Sequence, residues 1–264
     1  MVSLASLKWF FVINGSVILL GTGQYYLLNY FEHHVVALLC AMLVKNYISY
    51  SVINNATVRR PYITTGVRKQ TFDLVNFAKT GLIETASYYY ASRVVARVSS
   101  SILMDIVLFI PTSFVFELVF DFFHYWTHRG AHMNYTVYKM VHSKHHEHAL
   151  VDASTTYQHS ALDLLLTNFL PIVLATSIVP LSDYTTVLVF WFKSLVEVAG
   201  HTGKDTSSSF IQCIWLPQAL GIELYSRNHN LHHISAKYNF SKRFSIWDKL
   251  FGTFHKGTIH ERAV

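Results

Sequence analysis

The chain has 264 residues, of which 52% are hydrophobic and only 14% charged, whereas soluble domains carry about 25% charged residues. That balance excludes a disordered chain, a collagen-like chain and an acidic solvating tail. A net charge of +6 spread through so much apolar sequence also argues against a nucleic-acid-binding protein and leaves anionic lipid surfaces or acidic substrates as partners. With only Cys40 and Cys213 present, neither a disulfide framework nor a thiolate metal site can organise the fold.

Residues 9–30 form a first uncharged apolar run, long enough to cross a bilayer and without a small-residue cleavage site followed by polar sequence. A second run, 34–52, follows after a short turn, and its Lys45 is expected to snorkel toward the interface from near the helix end. Arg59, Arg60, Arg68 and Lys69 come next, around Pro61, and mark this face as cytosolic by the excess of short-loop basic residues. Residues 72–91 are apolar but carry Asp73, Lys79 and Glu84, a pattern that fits a spanning helix lining the protein interior or an interfacial amphipathic helix. The run 101–123 is stronger, although Asp105, Pro111, Glu117 and Asp121 punctuate it; 161–178 and 185–198 then pair about Pro180.

The expected architecture is an all-α polytopic membrane protein with about four, up to six, transmembrane helices and a cytosolic, histidine-rich helical cap. Residues 1–264 read as one integral-membrane domain, with 1–100 an N-terminal membrane hairpin and basic connector and 101–255 the histidine-bearing region. Parity constrains the topology. The histidines near 128–146 and those at 229–233 can meet only if an even number of crossings separates them, and the 161–198 hairpin supplies two. Keeping them on the arginine-rich side requires that 72–91 cross and 101–123 return, or that neither cross fully; the first arrangement is preferred.

Histidine is the outlying residue type. Of 16 histidines, eight lie between His124 and His159 and three more fall within 229–233. They include His128-x-x-x-His132, then His142-x-x-His145-His146, then His229-x-x-His232-His233. On a helix, residues three and four apart share a face, so each triplet is expected to aim three imidazoles at one locus. Imidazole suits iron, zinc, copper or nickel better than magnesium or calcium, and one zinc would leave at least four histidines unused. Eight such imidazoles fit two neighbouring metals. A redox-active pair can share electrons with dioxygen, and the apolar frame points to a lipid substrate. The competing readings are hydrolysis by two zinc ions, a structural zinc-bearing scaffold, and a transporter or channel. Isolated His33, His34, His255 and His260 read as ordinary structural groups, and His148 falls off the face of the second triplet.

The pattern resembles the fatty acid hydroxylase and sterol desaturase superfamily of membrane-bound histidine-box di-iron oxygenases, whose boxes read HxxxH, HxxHH and HxxHH. The resemblance extends to Tyr125-Trp-Thr-His-Arg129 and to Trp247-Asp-Lys-Leu-Phe-Gly-Thr253, and covers residues 100 to 255. It implies metal ligands at His128, His132, His142, His145, His146, His229, His232 and His233, and a further ligand at His201 in the segment Gly200-His-Thr-Gly-Lys-Asp205. Asp205, four residues on, would bind metal through water or orient His201. His124, one turn before the first box, is either a ligand or a supporting or packing group. His159 resembles a histidine that commonly follows the second box, although the neighbouring family proline is absent. Trp247 and Asp248 would clamp the carboxy-terminal segment, with Asp248 accepting from an imidazole or Arg129, or capping a turn. Gly252 suits a left-handed turn.

The resemblance further implies two iron ions, with zinc able to replace them on isolation, dioxygen as co-substrate, and electrons from cytochrome b5 or an NAD(P)H-linked reductase. It places the protein in the endoplasmic reticulum with the boxes facing the cytosol. The expected reaction is lipid C–H oxidation, first as a sterol hydroxylase, methyl oxidase or desaturase, alternatively on a fatty acid, sphingolipid or other long-chain lipid. Asn239-Phe-Ser241, where the family often has Asn-Tyr-Gly, departs from the pattern. Nothing in the sequence specifies an oligomeric state.

Overall fold

Side-chain caps set the starts of the long helices. Ser3 accepts the Ser6 amide at the head of α1 (Leu4–Tyr30), His34 that of Val36 at α2 (Val35–Thr57), Asp73 that of Asn76 at α3 (Leu74–Arg93), and Ser101 that of Met104 at α4 (Ile102–Met133). Asn134 caps the short α5 (Tyr135–Val141). Ser160 caps α6 (Ala161–Ile178), which passes through a π-helical stretch at Leu164–Phe169, and Ser182 caps α7 (Asp183–Gly200). Each such cap takes up an N–H that the helix itself leaves unbonded. Three short helices complete the cap region: α8 (Trp215–Ala219), α9 (Ser226–Ser235) and α10 (Ile246–Leu250). This computed structural model describes residues 2–67, 70–95, 97–206 and 208–256, so the predicted roles of Arg68, Lys69 and His260 fall outside the described residues.

The protein is an all-α integral membrane protein. By length and composition α1, α2, α4 and α6 can each cross a bilayer. α3 and α7 run beside them for a different reason: their polar residues face protein. α7 is buried along nearly its whole length and packs against α1, α2 and α4, as expected for a helix that is central. Gly21 of α1 permits that contact, because a Cβ there would stand 2.5 Å from the Leu188 side chain.

The six helices alternate in direction. Near one end, α3 begins beside the cap, where Asn76 donates to Gln158 and Lys79 to the His159 carbonyl. At the other end, Arg97 pairs with Asp183 and Asp105 accepts from Ser182. α6 starts at the histidine end, where Asp163 meets His142, and α7 returns the chain there to His201. The even number of passes required by parity is therefore present.

Lys45 does not snorkel. α2 continues to Thr57, which leaves Lys45 well inside the helix with none of its surface exposed. It donates to Glu84 at 3.1 Å and to Asn46 and Ser194. Lys193 lies 3.7 Å from Glu84 and 3.4 Å from Glu197, so α2, α3 and α7 share one buried ionic network. The 72–91 segment is thus an interior-lining helix, with Asn76, Thr80, Glu84 and Ser87 buried while Leu74, Val75, Leu82 and Tyr89 face outward.

Breaking one partner of a buried pair leaves an uncompensated charge. Glu84→Leu is expected to lower stability by about 3 kcal/mol, and Lys45→Met/Glu84→Leu to recover most of that loss, as read from unfolding midpoints in detergent.

Candidate metal centre

The histidines converge because four elements end at one place. The last turns of α4 present His128 and His132 on one face, and His142 terminates α5. The second box then leaves the helix: a turn follows, and His145 and His146 lie in a 3-10 turn spanning His145–Glu147. His201 is the residue that ends α7. α9 carries the third box and stops at Ala236, which takes the left-handed conformation at φ 53°.

Departure from helix in the second box changes the expected pairing. The triplets do not each aim at one locus; they are split between two groups. His128, His132, His142, His146 and His232 form the first, and His145, His201, His229 and His233 the second, with potential ligand atoms within 4.8 Å of one another in each. Adjacent residues of the second box therefore serve different groups. The groups adjoin, with the His146 and His233 rings stacked at 4.6 Å and those of His142 and His145 at 5.0 Å.

Hydrogen bonds fix how the rings present their nitrogens. Nδ1 of His128, His201 and His232 faces the carbonyls of Phe240, Glu197 and Tyr238, each at 2.8 Å. A carbonyl only accepts, so these Nδ1 atoms carry the hydrogen and leave Nε2 with a free lone pair. Asp163 does the same for His142, accepting its Nδ1–H at 2.8 Å, while its other oxygen accepts from His159 at 2.6 Å. Nε2 of His128, His132 and His142 and Nδ1 of His145, His146 and His233 are buried with no hydrogen-bond partner. The Nε2 atoms of His201 and His229, of His229 and His233, and of His146 and His232 stand 3.1–3.2 Å apart. Nitrogens bound about 2.1 Å from one tetrahedral ion would stand about 3.4 Å apart. Convergent lone pairs, orphaned donors and these spacings fit metal coordination.

The supporting residues take varied places. His124 turns Nδ1 to the Thr167 carbonyl at 2.7 Å and its ring lies 5.1 Å from that of His128, outside both groups. His159 stacks on His145 at 4.2 Å and forms, with His145 and Asp163, a third potential ligand set. Because both Asp163 oxygens already accept imidazole N–H bonds, Asp163 holds His142 and His159 in orientation. Asp205 does not approach His201. Its exposed carboxylate lies 3.8 Å from Arg227, and the Glu197 carbonyl takes the hydrogen bond of His201 instead.

Asp248 contacts neither an imidazole nor Arg129. It accepts the Phe240 and Ser241 amides and the Thr253 hydroxyl, which is its turn-capping alternative, while Arg129 donates to Tyr125. Gly252 has φ 71°, and Trp247 packs on Phe122. Asp121 takes the next three amides, Lys242, Arg243 and Phe244. Two carboxylates thus hold five successive N–H groups of the segment whose Phe240 carbonyl orients His128.

Three groups escaped the sequence reading. Asp163 was not singled out in the sequence; it stands at the start of α6, four residues after His159, which lies just before the helix. Asp121 and Glu117 looked like interruptions of an apolar run. Glu117 pairs with Arg243 at 2.5 Å, and Arg243 reaches Glu197 at 2.8 Å; Lys242 also pairs with Glu197. No spacing rule links these residues, since they are brought together from α4, α7 and the loop before α10.

Burial, reinforced by neighbouring imidazoles, holds His145, His229 and His233 well below the ordinary histidine range. Burial likewise brings His146 to about 2 and His201 to about 3. These five histidines are therefore neutral at physiological pH, the state in which imidazole binds metal.

Residues 113–253, just over half of the chain, match the sequence model of the fatty acid hydroxylase family. The chain belongs to the fatty acid hydroxylase family. A sphinganine C4-monooxygenase of Arabidopsis thaliana is 28% identical over 55% of this chain and 54% of its own length. A fatty acid hydroxylase of Lecanicillium is 29% identical over 53% and 40%, and a methylsterol monooxygenase of Rattus norvegicus 31% over 50% and 43%. The chain spans about half the length of the curated relatives it matches. No solved structure matches it.

For this family member, Asp163→Asn leaves one imidazole N–H facing an amide N–H, and metal affinity should fall about 10–100-fold, read as metal per protein after dialysis. Acid has a calculable direction. His145, His146, His201, His229 and His233 stay neutral when folded but take up protons once unfolded, so the metal-free protein should lose stability as pH falls below about 6.5. Each such histidine contributes up to about 1.4 kcal/mol per pH unit. Unfolding midpoints in chelator should be flat above that pH and fall steeply below it.

Proposed function

We propose that the chain is a dioxygen-dependent membrane oxidoreductase that oxidises a lipid C–H bond, and that its two histidine groups hold a pair of iron ions. One observation carries this reading: two adjoining, largely buried, all-imidazole groups stand at the ends of membrane helices. A zinc pair would suit the nitrogen ligands but supplies no electrons, whereas a bound iron pair supplies redox chemistry toward dioxygen. Hydroxylation balances as substrate C–H, dioxygen, two electrons and two protons yielding the alcohol and water. The electrons are proposed to come from cytochrome b5 or an NAD(P)H-linked reductase.

The protein's own part is positional. His128, His142, His201 and His232 are ligands in our reading, each fixed through the N–H on its other ring nitrogen; His132, His145, His146, His229 and His233 complete the two sets. Asp163 orients His142 and His159, and Asp248 and Asp121 hold the segment behind His128. Residues 101–255 are the proposed catalytic region, packed on a hairpin and connector from 1–100 within one membrane unit. We place the protein in the endoplasmic reticulum membrane with its histidine end facing the cytosol, a reading supported by Arg59 and Arg60 at that end.

A membrane lipid is the proposed substrate, with a sterol first. Long-chain substrates stand second, favoured by the relatives whose names specify fatty acid and sphinganine chemistry. Lipid profiling of cells with and without the chain, under oxygen-18 gas, distinguishes them. A labelled alcohol on one lipid, absent with His145→Ala, is expected; a new unlabelled double bond would mean desaturation. An unchanged lipid profile from iron-loaded protein with a working reductase would overturn lipid oxidation and leave a metal-bearing scaffold.

A further inference from the structure

The first turns of α3 bring two lysines to one oxygen. Lys79 Nζ donates to Asn76 Oδ1 at 2.7 Å and Lys144 Nζ to the same atom at 3.0 Å, which holds two like charges a few ångströms apart. Lys79 also donates to the His159 carbonyl at 3.2 Å. Among the described residues these acceptors are all neutral, and neither ammonium forms an ion pair. Lys45, Lys193 and Lys242, by contrast, each face a carboxylate. Asp73 is engaged elsewhere: it accepts the Asn76 backbone N–H at 2.9 Å and a side-chain N–H of Asn76 at 2.6 Å. Asn76 is 1% exposed and also donates to Gln158, so its amide is fixed with the oxygen toward the lysines.

Their depth makes this arrangement costly. Leu74 and Val75, 71% and 74% exposed in the first turn of α3, put apolar surface outward at the histidine end. Lys79 follows Val75 by four residues, or about 6 Å along a helix, toward the membrane interior. A cation there is expensive unless paired, and a second cation on the same neutral oxygen raises the cost. Both lysines are half-buried and each ammonium has a donor to spare, since it carries three. A phosphate offers several oxygens, so one group can accept from both. Leu82 and Tyr89 are exposed on the same face of α3 as Lys79 and continue it with surface suited to acyl chains. We propose that Lys79 and Lys144 form a binding site for the phosphate of an anionic phospholipid in the leaflet on the histidine side. Lys144 precedes His145, and Lys79 holds the carbonyl of His159, whose ring stacks on His145. The bound headgroup therefore braces the second box from the membrane side, whichever lipid the metal centre oxidises.

The test uses the full chain in maltoside detergent, which carries no phosphate, and needs no turnover. Dioleoyl phosphatidic acid is added in one arm, dioleoylglycerol, with the same chains and no phosphate, in a second, and inorganic phosphate in a third. Reaction of each lysine with an amine-directed acylating reagent is mapped by peptide, with the exposed Lys139 and Lys237 as internal references. Phosphatidic acid should slow acylation of Lys79 and Lys144 about tenfold relative to those references, the equivalent of one charge-assisted hydrogen bond at each, and dioleoylglycerol should not. By native mass spectrometry, retained phosphatidic acid should fall about tenfold in Lys79→Gln and in Lys144→Gln, whereas Lys79→Arg/Lys144→Arg, which keeps both charges, should retain it. Equal protection by dioleoylglycerol, or retention insensitive to both glutamine substitutions, would overturn the proposal. Protection by inorganic phosphate and not by phosphatidic acid would overturn the lipid assignment and leave a site for soluble phosphate.

Discussion

Imidazole nitrogens buried without partners are the constraint around which the rest of the structure is arranged. Neutral rings packed this closely lose solvation and gain little from one another, and six of their nitrogens have no hydrogen-bond partner. Such groups are costly unless a further ligand accepts their lone pairs. Metal coordination removes that cost, which is why binding and folding are coupled at sites of this kind. It also requires each ring to be held from behind, and this requirement reaches far into the chain. Carbonyls of Phe240, Glu197 and Tyr238 and the carboxylate of Asp163 each fix one ring.

The orienting groups are themselves anchored by charge. Phe240 is held by Asp248, and the following residues by Asp121. Arg243, with no surface exposed, joins Glu117 of α4 to Glu197 of α7, and the network continues through Lys193 and Glu84 to Lys45 of α2. Charges of this kind inside a membrane are expensive when single and tolerable when paired inside the protein. The same network therefore locks α2, α3, α4 and α7 and places the carbonyl that orients His201. Rigid support of this type is what a site needs to hold its ligands in one geometry.

Much of this was legible in the chain. The apolar runs gave the helices, because bilayer crossing demands length and hydropathy that only a few segments have. The histidine spacings singled out the ligand candidates, since clustering of one residue type survives any fold. His201 stood apart from the boxes and was reached only through family resemblance. Lys45 was misplaced because hydropathy ended α2 too early, and Asp205 was credited with a role that the Glu197 backbone performs.

What the sequence by itself determined is local: which segments are helical, which residues can cap them, and which imidazoles a helix end can present. Tertiary structure alone decided the division of the boxes into two groups, because His145 and His146 are neighbours in the chain yet point to different sets once α5 has ended. It alone decided that Asp163 serves two histidines, that Asp121 and Asp248 hold one loop between them, and that the charges of four helices meet. Those contacts join residues more than a hundred positions apart in some cases, where hydrophobic periodicity and motif spacing carry no information; their positions follow from how the six helices pack.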